Sequence, residues 1–223
     1  MRTVKSAKYD QAPKTEGKTI HWPLFYDILV GVLFWGREKA ARERTLDLGE
    51  LKPGESVLDV GCGTGALTLA AKARVGQTGK VYGIDAAPEM IERARRKAVE
   101  AGMDVDFQTA AVESLPFPDA LLDVVLSSLM LHHLPGDLRR KALVEMCRVL
   151  RPGGRLMVVD FEPPRGKLGR ALVLLVLGHT MADTDIRDFL PLIQSAGFSE
   201  IECGSTGVRL LSFARAKTSN AHA

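Results

Sequence analysis

Apolar and polar positions in this chain group into short β-type runs separated by stretches of helical period. Val57-Leu58-Asp59-Val60 reads as a buried strand, and Ala66 to Val75 (ALTLAAKARV) as a helix leaving the glycine-rich turn between them. Lys80 to Asp85 is the next strand. Pro88 then opens a helix over Glu89 to Ala101, with Met90, Ile91, Ala94 and Ala98 on one face and Gly102 as its stop. Val105–Thr109 and Asp123–Leu126 read as the third and fourth strands. Asp137 is placed to cap a helix from Leu138 to Leu150, and Arg151-Pro152-Gly153-Gly154 turns the chain into a fifth strand, Arg155 to Phe161. A last helix, Asp185 to Ala196, stops at Gly197, and Glu200–Cys203 and Arg209–Lys217 complete seven strands. Strands alternating with helices predict an α/β fold with a doubly wound, mostly parallel seven-stranded sheet.

The turn Gly61-Cys62-Gly63-Thr64-Gly65 carries the first chemical signal. Glycine accepts positive φ and lacks a Cβ, so main chain there can lie against a ligand. Asp85 ends the second strand about 20 residues further on, where a ribose-binding carboxylate belongs. Dinucleotides and S-adenosylmethionine both fit that geometry. A dinucleotide fingerprint needs its third glycine one residue later than Gly65. Asp59, two residues before Gly61, would repel a pyrophosphate and attract an ammonium and a sulfonium. The sulfur cofactor is favoured.

The segments VLDVGCGTG, VYGIDAAPEMIERARRKA, SLPFPDALLDVVLSSLMLHHL and RVLRPGGRLMVVD, in that order, resemble the class I S-adenosylmethionine-dependent methyltransferases. The similarity is to the small single-domain branch that holds the quinone and phospholipid methyltransferases, and it runs from about Leu51 to Phe161. It implies a Rossmann-like methyltransferase fold with an N-terminal helical lid. It also implies a donor site built from Asp59, Gly61, Cys62, Gly63, Thr64, Gly65, Asp85, Ala86, Met90, Ala111, Val112 and Ser127. Gly61, Gly63 and Gly65 would line the methionine and ribose portions, Asp85 would hold the ribose hydroxyls, and Met90 would pack near the adenine. The family carries an aspartate for the adenine amino group after the third strand. Ala111 stands there instead, which leaves the Val112 N–H or Glu113 to read the base and admits a non-catalytic member of the fold.

Two strongly apolar stretches stand outside those motifs, His21–Gly36 (HWPLFYDILVGVLFWG) and Ala171–Leu177. The expected organisation is a tail over residues 1–19, one methyltransferase domain over 20–217 and a second tail over 218–223. Within the domain, residues 20–49 form lid helices and 163–184 a lid insertion. Tyr26 resembles an aromatic lid residue of the family, with plain packing as the alternative. His132 and His133 follow the carboxyl end of the fourth strand, where crevice ligands bind. One of them is expected to face the site and to handle a proton, with the other packing. Asp160, at the end of the fifth strand, is expected at the crevice edge as a polar cap or substrate contact. His179 either reaches the acceptor or sits on the surface.

Composition then narrows the partners. A formal charge of +3 is too small to imply nucleic acid, although Arg37, Lys39, Arg42 and Arg44 cluster. Three cysteines without a C-x-x-C pair give neither a disulfide framework nor a metal site. With no apolar h-region near Met1 and no run of about 18 apolar residues, a cytoplasmic protein is expected, with peripheral contact at the inner membrane surface left open. The acceptor is expected to be a small molecule or lipid, either a quinone precursor or an amino phospholipid, and the protein a monomer or homodimer. A soluble N- or O-methyl acceptor is the alternative.

Overall fold

The computed structural model describes residues 38–164, 184–208 and 210–219, together with positions 12, 13, 15, 17 and 166. Its centre is a seven-stranded sheet in the order β3-β2-β1-β4-β5-β7-β6. The strands are β1 (Ser56–Val60), β2 (Lys80–Asp85), β3 (Asp106–Thr109), β4 (Leu122–Ser128), β5 (Leu150–Phe161), β6 (Phe198–Ser205) and β7 (Leu211–Thr218). The first five run parallel, and β7 enters antiparallel between β5 and β6. Doubly wound order follows from the βα crossovers, which put helices on both faces. The central strands are therefore apolar on both sides: Val57, Leu58 and Val60 in β1, and Val124, Val125 and Leu126 in β4, are all fully buried.

The helices are α1 (Glu38–Leu48), α2 (Ala66–Val75), α3 (Pro88–Glu100), α4 (Gly136–Val149) and α5 (Leu190–Ser195). Leu138, Leu143 and Met146 of α4 cover one sheet face with Phe189 and Ile193. Leu46 of α1 and Leu67, Ala71 and Val75 of α2 cover the other. A third cluster of Cys62, Ile91, Ala94, Ala98 and Phe107 lies beneath the glycine turn. Arg148 ties the loop after β3 to α4, donating to the Leu115 and Phe117 carbonyls and to Glu145 and Asp119.

The expected elements are present with three corrections. Asp137 is not the cap of α4: the helix begins at Gly136 behind Pro135, so that carboxylate lies inside the first turn, near the positive end of the helix dipole. β5 begins at Leu150, and Arg151-Pro152-Gly153-Gly154 is an irregularity within it, marked by the register shift opposite Leu122 and Val124. The expected helix from Asp185 to Ala196 is split into a 3-10 turn, Ile186–Phe189, and α5. Pro191 lacks the N–H that would continue the ladder across the junction. Most of residues 1–37, the insertion 167–183 with His179, and Tyr26 lie outside the described residues.

Gly65 tests how closely the turn is packed. Its φ is +79°, and a Cβ there would stand 2.8 Å from Phe107 Cζ and 2.9 Å from Ala94 Cβ. Gly65→Ala is expected to cost about 2–4 kcal/mol, seen as a melting temperature lowered by roughly 5–15 °C in calorimetry.

Candidate functional site

The carboxyl ends of β1, β2, β4 and β5 meet along one sheet edge, where an open parallel sheet offers its crevice. At the end of β1 the chain turns back on the neighbouring strand. The Gly61 and Cys62 amides both donate to the Ile84 carbonyl, at 2.9 and 2.8 Å, and the Gly65 amide closes the turn on the Cys62 carbonyl. Asp85 continues the clamp. Its Oδ2 accepts from the Gly63 amide at 3.0 Å and its Oδ1 from the Ala87 amide at 2.9 Å. A carboxylate offers about four acceptor sites, so bonds to main-chain amides and to a ligand diol are compatible. The turn and the carboxylate, expected on one crevice, are thus in direct contact.

Asp59 lies behind the turn, 1% exposed, and accepts from the Thr68 hydroxyl at 2.6 Å. Burial pushes its carboxyl up to about 7; the Thr68 hydrogen bond opposes that rise and the negative charge of Asp85 adds to it. Burial likewise holds the Cys62 thiol well above its ordinary range, so Cys62 packs under the turn as an inert group. Thr64 accepts from Lys97 Nζ at 2.8 Å.

Two cavities flank the turn and share Gly61 and Leu129 in their walls. The smaller, about 90 Å³, is lined by Gly63, Ile84, Asp85, Ala86, Met90, Val112 and His133, and also by Thr15 and Gly17. Asp85, Met90 and Val112, three of the residues expected around an adenosine, meet there. The larger, about 290 Å³, lies between α1 and the turn, with Asp59, Cys62 and Thr64 on one wall and Ala41, Arg42 and Thr45 on the other. Lys97, Ser128, Val159 and Leu211 complete it. Ala111 and Ser127 are buried and line neither cavity; their neighbours Ala110 and Ser128 do. Met130, Leu129 and Ala110 went unremarked in the sequence. Met130 is the floor of the turn: a Cβ on Gly61 would stand 2.2 Å from its Cγ. Leu129, between the end of β4 and Met130, has a positive φ of +55°.

The two histidines are placed differently. His133 is partly exposed and lines the smaller cavity, whereas His132 is 5% exposed. They are not turned to opposite sides: the ring centroids are 3.9 Å apart, with the planes tilted by 44°. Asp160 is not at the crevice edge. It is fully buried, and its Oδ1 lies 2.8 Å from His132 Nδ1. Among the described residues no group of His, Cys, Asp and Glu is arranged to hold a metal ion.

Residues 57–154 match the family described as Methyltransferase domain. A demethylmenaquinone methyltransferase of Thermus thermophilus is 41% identical over 145 residues, which cover 65% of this chain and 64% of that protein. A ubiquinone/menaquinone biosynthesis C-methyltransferase of Laribacter hongkongensis is 37% identical over 137 residues, covering 61% and 55%. The chain thus aligns with between half and two thirds of the length of these curated relatives. A crystal structure of a SAM-dependent methyltransferase from Aquifex aeolicus superposes with a TM-score of 0.66 at 25% identity, covering 79% of this chain and 88% of that one.

The raised Asp59 carboxyl has a consequence for stability. Its ordinary value is 3.8 and its folded value about 7, so the folded protein binds more protons than the unfolded chain between those limits. Stability from this group therefore falls as pH rises through that window, and the whole cost is present above it. Asp59→Asn keeps an acceptor for Thr68 and removes the charge. It is expected to stabilise the protein by roughly 2–4 kcal/mol at pH 8 and by almost nothing at pH 4, as read from denaturant titrations at the two pH values.

Proposed function

The chain is a member of the class I S-adenosylmethionine-dependent methyltransferases, and from that membership we propose that it transfers a methyl group to a hydrophobic quinone precursor. What carries the reading is the clamp of Gly63 on Asp85, beside an apolar lobe walled by Ile84, Met90 and Val112. A ribose diol suits the carboxylate, and an adenine ring suits the lobe. In the adjoining cavity the buried Asp59 suits an ammonium: a positive ligand offsets the cost of an ionised carboxylate there. The residues present therefore fit the cofactor. Bound there, S-adenosylmethionine supplies a methyl group already activated by its positively charged sulfur.

The chain's own task is to position an acceptor and to exclude water. Leu129, Val159 and Leu211 give the larger cavity an apolar side on which an aromatic acceptor can lie. The names of the 41% and 37% identical relatives favour a quinone precursor over an amino phospholipid. We place one of the two histidines on the acceptor side. An acceptor of this kind partitions into lipid, so we also propose contact with a membrane surface. Among the described residues no helix is long and apolar enough to cross a membrane.

Calorimetric titration is expected to show S-adenosylmethionine binding to the wild type and no comparable binding of NADH. Asp85→Ala should weaken the donor by about 10- to 100-fold, the worth of hydrogen bonds to a charged group. Turnover should follow with a demethylated quinol and fail with phosphatidylethanolamine vesicles. Tight NADH binding without donor binding would overturn the assignment.

A further inference from the structure

The two cavities meet at two residues, and only one of them carries a side chain. Among the described residues, Gly61 and Leu129 alone line both cavities. The smaller cavity holds Asp85, Met90 and Val112, which suit an adenosine, and the larger holds Asp59, which suits an ammonium. In S-adenosylmethionine the sulfur joins the adenosyl group to the amino-acid chain, and the transferable methyl is its third substituent. A donor with one arm in each cavity therefore has its sulfur and methyl where the cavities join. Gly61 offers no side chain there, so Leu129 supplies the wall.

Leu129 holds that place in a conformation that leucine avoids. Its φ of +55° lies in the left-handed region, where a β-carbon crowds the following carbonyl oxygen. Glycine would sit there without strain. The bend is pinned by main-chain hydrogen bonds: the Leu129 amide donates to the Val159 carbonyl of β5 at 2.8 Å, and the His133 amide to the Met130 carbonyl at 2.9 Å. The Leu129 side chain packs against the cluster that contains Val159 and Leu211, both in the wall of the larger cavity. Met130 fills the space that a side chain on Gly61 would need. Strained residues persist where the surrounding structure over-determines them, and they gather at functional sites. Here a position that the backbone would assign to glycine carries a branched apolar side chain, and that residue borders the junction of the two cavities.

We propose that Leu129 is a positioning residue for methyl transfer: its side chain packs against the sulfonium methyl, keeps water from it and fixes the line of the acceptor's approach. This rests on the methyl-transfer reading above. In-line displacement needs the acceptor atom, the methyl carbon and the sulfur on one axis, and a misplacement of about 1 Å costs on the order of a hundredfold in rate. A hydrocarbon wall beside the methyl displaces water and brings no nucleophile of its own. Leu129 exchanges no atom or charge with either reactant. Its branched side chain sets where the methyl sits, and the strained backbone holds that side chain in place.

The first test reads contact. With S-adenosylmethionine labelled with ¹³C at its S-methyl carbon, NMR is expected to show an Overhauser effect between that methyl and the Leu129 methyls, assigned by its loss in Leu129→Gly. A bound donor whose S-methyl shows no contact with Leu129 overturns the proposal. The second test separates function from folding. Leu129→Ala keeps the strained backbone and Leu129→Gly relieves it, so the glycine variant is expected to melt roughly 2–8 °C above the alanine variant. Both should lower kcat on a demethylated quinol by about 10- to 100-fold, with S-adenosylhomocysteine, which lacks the methyl, bound within about threefold of wild type. A role in stability alone would spare the rate in Leu129→Gly, and a kcat there within about twofold of wild type sinks the idea. Loss of S-adenosylhomocysteine binding as large as the loss of rate shows support of the whole donor and overturns it too. If the wild type binds no donor, the methyl-transfer reading fails and takes this proposal with it; donor binding without the methyl contact removes the proposal alone.

Discussion

The site depends on one tie between neighbouring strands: the main chain leaving β1 folds back on to the end of β2. Two consecutive amides, Gly61 and Cys62, share the Ile84 carbonyl, and the next glycine amide is taken by the Asp85 carboxylate. These bonds satisfy backbone donors that would otherwise be orphaned at the mouth of a buried strand. They also set the distance between turn and carboxylate. The crevice is therefore shaped by main-chain hydrogen bonds of the fold itself.

The close approach requires missing side chains on both strands. A Cβ on Gly83 would stand 2.6 Å from Phe107 and 3.1 Å from Cys62 Sγ, and one on Gly61 would collide with Met130. The glycines thus serve packing as much as ligand access. The buried charge of Asp59 is the opposite kind of device. It destabilises the folded protein at neutral pH, a cost that the cationic donor proposed above would offset.

The carboxyl edge of the sheet divides the work. The ends of β1 and β2 carry the glycine turn and Asp85, and the ends of β4 and β5 carry the His132–Asp160 pair. The chain after β4 serves both. Leu129 lines the two cavities, Met130 supports the glycine turn, and His132 reaches across to Asp160. A shift in this segment would be felt in both cavities and in the glycine turn.

Local pattern was sufficient for much of this. The glycine turn, the helix Ala66–Val75, the strand Lys80–Asp85 and the placing of that turn and Asp85 on one crevice were all legible. They rest on periodicity, on glycine's freedom at positive φ and on a fixed spacing along a βαβ unit. The split of the last helix at Pro191 was open to the same reasoning and was missed. Only tertiary structure decided which residues share a cavity wall. One residue of register after β3 separates Ala110 from Ala111, and one after β4 separates Ser128 from Ser127. The pairing of His132 with Asp160 joins positions 28 apart in sequence, and it exists because β5 docks beside β4. No sequence period encodes that. The sheet register determines it, along with which histidine is buried.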